Sequence, residues 1–468
     1  MTRPLVPVFL VAALILSLCT LPAAAKTAAP PPTPMPMTTP NPAASPGLTL
    51  LTLKDAETIA LASSPLLELA RAALDQARAG IGTAQSGALP NLSATGRTDR
   101  SKSGSRGSGT GGSGGTTGGT TIFTTTSASV DLKQLLFDGG RVFAEISAAR
   151  FNTDAQALLL RRQMESVEFT VAQQYYAALQ ARHQYQVAQK QRDNAQIQEQ
   201  LVEAQFRAGA ASRAEVLTAQ LPVAQADLAL AQAKNGEQSQ IAALLNAMGL
   251  PSNAPVQLQD DNTEPTFAKT LDALLTIAST ERSDLAAARA SERSAGEGVR
   301  AAGLARVPVL SGTASDGVGT TGLNPNGSLA TGGGPYANTY SFGVSLTFPL
   351  YDGGLISSQT ASAKAQQRSA RANLKSAELA VSFSVTQAFL AYQTALAGVS
   401  AAHVELSQAQ TVLDVTNAQY KAGVTTLPLL LNAQTGFIKA QNDFVNALYT
   451  AKTAEQQVLF SAGLIGSF

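Results

Sequence analysis

About 66 consecutive residues without proline, from Arg141 to Phe206, constrain this chain more than any other feature. At 1.5 Å per residue they predict a helix of roughly 100 Å, far beyond the usual three or four turns. The stretch opens Phe137-Asp138-Gly139-Gly140 and closes Phe206-Arg207-Ala208-Gly209. A second proline-free stretch opens Tyr351-Asp352-Gly353-Gly354 and runs to Tyr420, with Gly423 just beyond. Openings (351 less 137) and closings (420 less 206) are both 214 positions apart. Two equal rods with the same start and stop signals are one unit duplicated. The 468-residue chain therefore reads as two similar halves, 49–250 and 268–464, rather than the three domains its length suggests.

Charge and export narrow the class. Formal net charge is +1 and charged residues are only 14%, so nothing points to nucleic acid as a partner. Arg3, an apolar run from Leu5 to Leu21 and Ala23-Ala24-Ala25 predict a secretory signal over 1–25. The run is too short for a retained membrane helix. Cys19, the only cysteine, follows Leu16-Ser17-Leu18; lipidation is the alternative fate, although Leu18 is bulkier than the usual residue there. Residues 26–48 hold eight prolines between Pro30 and Pro46 and read as a disordered tether.

In chain order, Thr52 is placed to cap a helix, Pro65 interrupts it, and Leu89-Pro90 ends the second helix. A strand at about 90–100, a Gly/Ser/Thr loop and a strand at about 127–136 follow. Gly107, Gly109 and Gly112 fit G-x-G-x-x-G, but no strand precedes and no helix follows, so a flexible loop is the better reading. Next comes the long helix 141–206, with Leu160, Met164, Val167 and Val171 spaced as a coiled-coil seam. Gly209 suits a left-handed helix end, and Ser212 caps a returning helix that contains Pro222. After a linker at 251–267 the plan repeats, with strands at about 308–316 and 340–350 and a long helix at 355–420. The tail is 465–468. In each half two short helices, laid end to end, match the long one at about 100 Å. All strands thus fall at one end of the rods, and the Gly209 and Gly423 turns at the other.

Tyr340, Phe342, Val344, Leu346 and Phe348 alternate with Ser341, Gly343, Ser345 and Thr347, the pattern of a transmembrane β-strand. A half-buried strand in a soluble sheet is the alternative, but no helix is available to cover its apolar face. Four strand positions cannot close a barrel, and open edges are not viable in lipid. Several chains must therefore share one. The predicted fold is mainly α with a small transmembrane β part: a duplicated long-helix tunnel joined to a shared barrel.

The chain resembles the TolC-type outer-membrane efflux proteins across 49–464. The matching pieces include Leu51 to Ala56, Ser63-Ser64-Pro65, Leu89-Pro90, Phe137 to Gly140, Arg282-Ser283-Asp284-Leu285, Phe348 to Gly354 and Ala418 to Gly423. The resemblance implies a homotrimer with a 12-stranded barrel and a 12-helix periplasmic tunnel. It implies a passive exit duct in the outer membrane, docking on a periplasmic adaptor and an inner-membrane transporter. It also places Asp138, Gly139, Gly140, Asp352, Gly353 and Gly354 at the barrel-to-helix junctions. Ala208, Gly209, Ala210, Ala422, Gly423 and Val424 are the implied adaptor contacts. Glu215 and Tyr420 correspond to a closing lock, although Glu215 also suits an ordinary first-turn acid. Thr425 stands where a basic residue is frequent, and Leu429 and Asn432 where acids form a cation-attracting ring, so a weak lock and little cation selectivity are expected.

An enzyme reading finds little support. His183 and His403 are the only histidines, sit in Gln-rich helix where a solvated face is expected, and are not repeat equivalents. No cofactor or metal site is indicated. A periplasmic coiled-coil adaptor without a pore is the other competitor; it would lack a lipid-facing strand. Phe468 follows a helix, so its likeness to the terminal aromatic of barrel strands is coincidental.

Overall fold

The computed structural model describes residues 50–104, 120–260, 263, 269–319 and 337–466. The expected signal peptide, Cys19, the 26–48 tether, the glycine motif at 107–112, Phe468 and part of the 251–267 linker lie outside the described residues.

The helices are α1 (Leu53–Ser63), α2 (Pro65–Ser86), α3 (Arg141–Arg207), α4 (Arg213–Ala247), α5 (Leu271–Glu281), α6 (Ser283–Leu304), α7 (Leu355–Lys421) and α8 (Leu427–Ala462). The strands are β1 (Leu50–Leu51), β2 (Asn91–Gly104), β3 (Thr120–Phe137), β4 (Gln257–Leu258), β5 (Val309–Gly319) and β6 (Ala337–Thr347). Both long helices have 67 residues. Each ends alike: Ala210 N donates to Gln205 O at 2.8 Å and Val424 N to Gln419 O at 2.9 Å, across Gly209 (φ 75°) and Gly423 (φ 74°). Such a closure needs a left-handed residue, which is why glycine stands there. Thr52 and Asp55, and again Ser212 and Glu215, form reciprocal capping boxes. α4 continues through Pro222.

Beneath the sheet the helices lie side by side in the order α2, α3, α6, α7; farther down the order is α4, α3, α8, α7. The four long strands follow the same order, β2, β3, β5, β6, all antiparallel. Each half thus offers one continuous rod and one assembled from shorter helices.

The seam expected along α3 is only partly buried. Val167 and Val171 are core residues, packed with Tyr175, Leu179 and Leu244, whereas Leu160 is half-buried and Met164 exposed. The reason is the change of neighbours along α3: α2 and α6 above, α1 at the middle, α4 and α8 below. No single stripe can serve all of them. His183 also departs from the solvated face expected of it. Its Nε2 lies 2.9 Å from Asp260 Oδ1 and its ring stacks on Tyr449, pinning the inter-repeat segment. His403 is exposed, with Phe444 at its edge.

Candidate functional site: a channel wall and its tips

The sheet sorts its side chains by solvent. In register across all four strands lie Leu92, Leu132, Ala314 and Phe342, flanked on the same face by Val130, Leu310, Val344 and Leu346. The opposite face carries hydroxyl pairs, Thr95–Ser129 and Ser311–Ser345 at 2.8 Å and Ser315–Ser341 at 2.7 Å, together with Asp131 and Lys133. Along β6 the apolar row from Tyr340 to Leu346 is 66–76% exposed. Asp316, opposite Tyr340, is the one acid on this face. A contiguous apolar surface of this kind is suited to lipid rather than water, and the polar face to a wet bore. β2 and β6 each leave one ladder edge unpaired. Val344→Arg, at mid-height on the apolar face, is expected to cost about 2–4 kcal/mol. Ser345→Arg, facing the bore, is expected to be tolerated; denaturant unfolding in detergent compares the two.

Each long helix begins at the same anchor. Asp138 Oδ1 accepts from Gly140 N at 2.9 Å and Oδ2 from Val142 N at 2.8 Å. Asp352 repeats this with Gly354 N (2.9 Å) and Ile356 N (2.7 Å). Those two donors hold the Asp352 carboxyl below its ordinary range, the Ile356 bond contributing most. From the anchor the chain enters the helix through two successive left-handed glycines, Gly139 (φ 70°) and Gly140 (φ 88°) in the first half and Gly353 (φ 64°) and Gly354 (φ 87°) in the second. The turn takes an extended strand into a helix within three residues, and a second Cβ-bearing residue would strain it.

Midway down the rods a buried polar joint ties both halves together. Arg282 forks onto Asp284, and its Nη1 donates to Ser384 Oγ (3.0 Å) and Ser461 O (2.9 Å). Ser283 Oγ donates to Glu165 Oε1 at 2.7 Å, and Arg162 donates to Glu165 Oε2 at 3.0 Å while lying 3.7 Å over the Phe460 ring. Glu165 is 4% exposed and fully paired. Burial alone would raise the Asp284 carboxyl; the Arg282 hydrogen bond and charge, with Arg162, hold it below its ordinary range.

At the far end the two hairpins meet. Val202, Ala219 and Leu427 are buried together, with Ala211, Val216, Tyr420 and Leu431 packed around them. Ala208, Gly209, Ala210, Ala422, Gly423 and Val424 are all exposed. Glu215 Oε2 accepts from Ser212 N at 2.6 Å, which holds its carboxyl low. Burial and then the charge of Glu215 push the Tyr420 phenol up, so the two are electrostatic neighbours, although no hydrogen bond joins them. Thr425 is half-buried, and Leu429 and Asn432 are exposed.

A family model described as outer membrane efflux protein matches residues 58–250 and 274–464. The chain belongs to the outer membrane efflux protein family. It is 27% identical over 341 residues to the outer membrane protein TolC of Escherichia coli (strain K12), covering 69% of this chain and 66% of that protein. It is 28% identical over 353 residues to the alkaline protease secretion protein AprF of Pseudomonas aeruginosa, covering 72% of this chain and 69% of AprF. In fold it matches the CmeC outer membrane channel of Campylobacter jejuni with a TM-score of 0.74, at 18% identity over 88% of this chain and 85% of that one. This efflux protein is therefore an outer-membrane channel protein whose helical rods stand in the periplasm. None of its described helices is long and apolar enough to cross a membrane. Among the described residues no group of three His, Cys, Asp or Glu side chains is placed to hold a metal.

Sequence reasoning missed the Arg282 network of this efflux protein and also a half-buried carboxyl, Glu57. Burial, reinforced by the charge of Glu168, pushes the Glu57 carboxyl up to about 7, with Lys54 opposing. Nothing in the local sequence signals it, because Glu57 and Glu168 lie on different helices. A carboxyl whose folded pKa lies above its unfolded value binds more protons in the native state. Stability therefore falls as pH rises from about 4.5 to about 7 and stays lower above that. Glu57→Gln is expected to unfold later than wild type at pH 8 and to show no such gain at pH 4. Parallel denaturant titrations at the two pH values check this.

Proposed function

We propose that three copies of this chain form one passive duct from the periplasm to the exterior, docking at its tips on a periplasmic adaptor and an inner-membrane transporter. One observation supports the ring above all. Between α3 and α6 a small-residue seam is buried: Ala144, Ala155, Ala287, Ala290 and Ala301, with Ser294 Oγ bonded to Ala148 O at 2.8 Å. The repeat equivalents of Ala144, Ala148 and Ala155 on α7 are Ser358, Ser362 and Ser369, with Ala365, Ala372 and Leu379 beside them at the places of Phe151, Leu158 and Glu165. The equivalents of Ala287 and Ala290 on α2 are Leu69 and Ala72. They form the two outer flanks of the four-helix layer, with Leu69 69% and Leu379 61% exposed. A second copy laid α2 against α7 would rebuild the same seam, and the β2 edge would meet the β6 edge. Native mass measurement on detergent-extracted protein is expected to give the trimer; monomers alone would refute the ring.

The exposed tip residues 208–210 and 422–424 carry small side chains, which suit close approach by an adaptor's helices. Cargo is an efflux substrate or a secreted protein, since relatives of both kinds share this duct design. The transporter that co-purifies decides between them. The tips also close the duct at rest, through Glu215 and Tyr420. Glu215 Oε1 is left free by the capping box, and a Tyr-to-carboxylate bond is worth about 1.5–3 kcal/mol. Glu215→Gln/Tyr420→Phe is expected to raise planar-bilayer conductance. Wild-type conductance in the double variant would remove these residues from the lock.

A further inference from the structure

α6 and the upper half of α7 carry a row of cations that packing does not explain. On α7 these are Lys364, Arg368, Arg371 and Lys375, at steps of four, three and four, and hence one face. On α6 they are Arg289, Arg293 and Arg300. The 2.9 Å ion pair between Arg371 and Glu292 puts both sets on the same side of the layer. Between Arg289 and Glu378 these helices hold seven cations against three carboxylates, Glu292, Glu297 and Glu378, a net of four positive charges per copy. The carboxylates pair at the surface with Arg371, Arg300 and Lys375, contacts that contribute little. Arg293, Lys364 and Arg368 are exposed and make no ion pair.

The first repeat serves as a control. Lys364, Lys375 and Arg289 recur there as Arg150, Arg161 and Arg71, but the equivalent of Arg368 is Asp154, of Arg293 Asp75, of Arg371 Ala157 and of Arg300 Gly82. The same helix packing therefore tolerates acids or no cation at these four positions, and the additional charge of the second repeat, centred on Arg293 and Arg368, has a separate cause.

The row faces outward, on the ring proposed above. Half-buried Ala363, Gln367, Ala370 and Leu374 mark the α6 side of α7, and Ser362, Ala365, Ser369 and Ala372 mark the next copy's side. At 100° per residue these two sides lie about 160° apart across Gln359, Gln366 and Asn373. That is the concave side, the bore, so the cations stand on the convex one. Lys364 lies about 14 Å and Lys375 about 30 Å below the start of α7. Lipid headgroups extend only about 5–8 Å beyond the hydrocarbon core, so the row is below their reach.

We propose that this outward row binds the carboxylates of peptidoglycan, the anionic polymer of the periplasm, and so seats the duct in the cell wall. The test is co-sedimentation of the full-length detergent-solubilised protein with purified sacculi. Wild type is expected to be retained at about 50 mM salt and released at about 300 mM, where charges are screened within a few ångströms. Arg293→Glu/Arg368→Glu is expected to lose at least about fivefold in retention. Lys190→Glu/Lys234→Glu, the same charge change lower on the rods, is expected to bind as wild type. Equal retention of Arg293→Glu/Arg368→Glu overturns the proposal. Binding to anionic phospholipid vesicles instead of sacculi overturns it in favour of lipid, and binding only when an adaptor is added overturns it in favour of protein. Native mass of each variant separates these failures from failure of the trimer itself.

Discussion

Arg282→Ala is expected to destabilise the protein by about 3–5 kcal/mol, the usual cost of removing one partner from a buried ion pair. The arginine is 7% exposed and serves four acceptors at once: both Asp284 oxygens, Ser384 Oγ and the Ser461 carbonyl. Its loss leaves Asp284 half-buried beside only Arg162, 3.7 Å away, and leaves a carbonyl at the end of α8 without its donor. The acceptors lie on α6, α7 and α8, so the damage falls on the joint between the two assembled segments of the second half. Arg282→Lys should recover only part of the stability, since an ammonium cannot fork onto Asp284 while reaching the other two acceptors. Urea unfolding in detergent measures both. A loss below about 1 kcal/mol for the alanine variant would mean that water replaces the guanidinium without cost.

The equivalent joint of the first half uses other chemistry. There Ser64 stands where Arg282 does, and Ser63 Oγ donates to the Met248 carbonyl at 2.6 Å. The duplication that was so plain in the spacing of the long helices is therefore not a duplication of contacts. Helix lengths, glycine stops and the alternation along β6 were legible because each depends on residues near in sequence. The Arg282 network was not, because Arg162, Ser384 and Ser461 come from three other elements. The α3 seam failed for a related reason: a 67-residue helix meets five partners in succession, and one heptad phase cannot describe them. At the tips, Glu215 and Tyr420 were named by resemblance; Tyr420 packs on the same cluster as Val216, the neighbour of Glu215, and the lock itself remains the proposal that the conductance measurement tests. The capping bond of Glu215 to Ser212 was implicit in the Ser212–Glu215 spacing.

Gly139→Ala and Gly353→Ala should separate folding of one copy from assembly of three. Both glycines are left-handed, so alanine costs each about 1–2 kcal/mol from the backbone alone. A Cβ at Gly139 would also sit 2.6 Å from Val307 Cγ1, whereas one at Gly353 meets nothing within 4 Å. Overpacking of that kind adds about 1–3 kcal/mol, so Gly139→Ala is expected to cost about 2–5 kcal/mol in total. Val307→Ala in the same chain should return the packing part and leave the backbone part. The repeat places Leu89 where Val307 stands, and Leu89 is 59% exposed on the flank that the next copy would cover. In the proposed trimer Leu89 of the next copy would therefore close over Gly353. Gly353→Ala should leave the secondary structure of each copy intact while shifting native mass from trimer toward monomer, and Leu89→Ala should restore the trimer. Normal assembly of Gly353→Ala would show that the copies do not repeat the contact made within each chain.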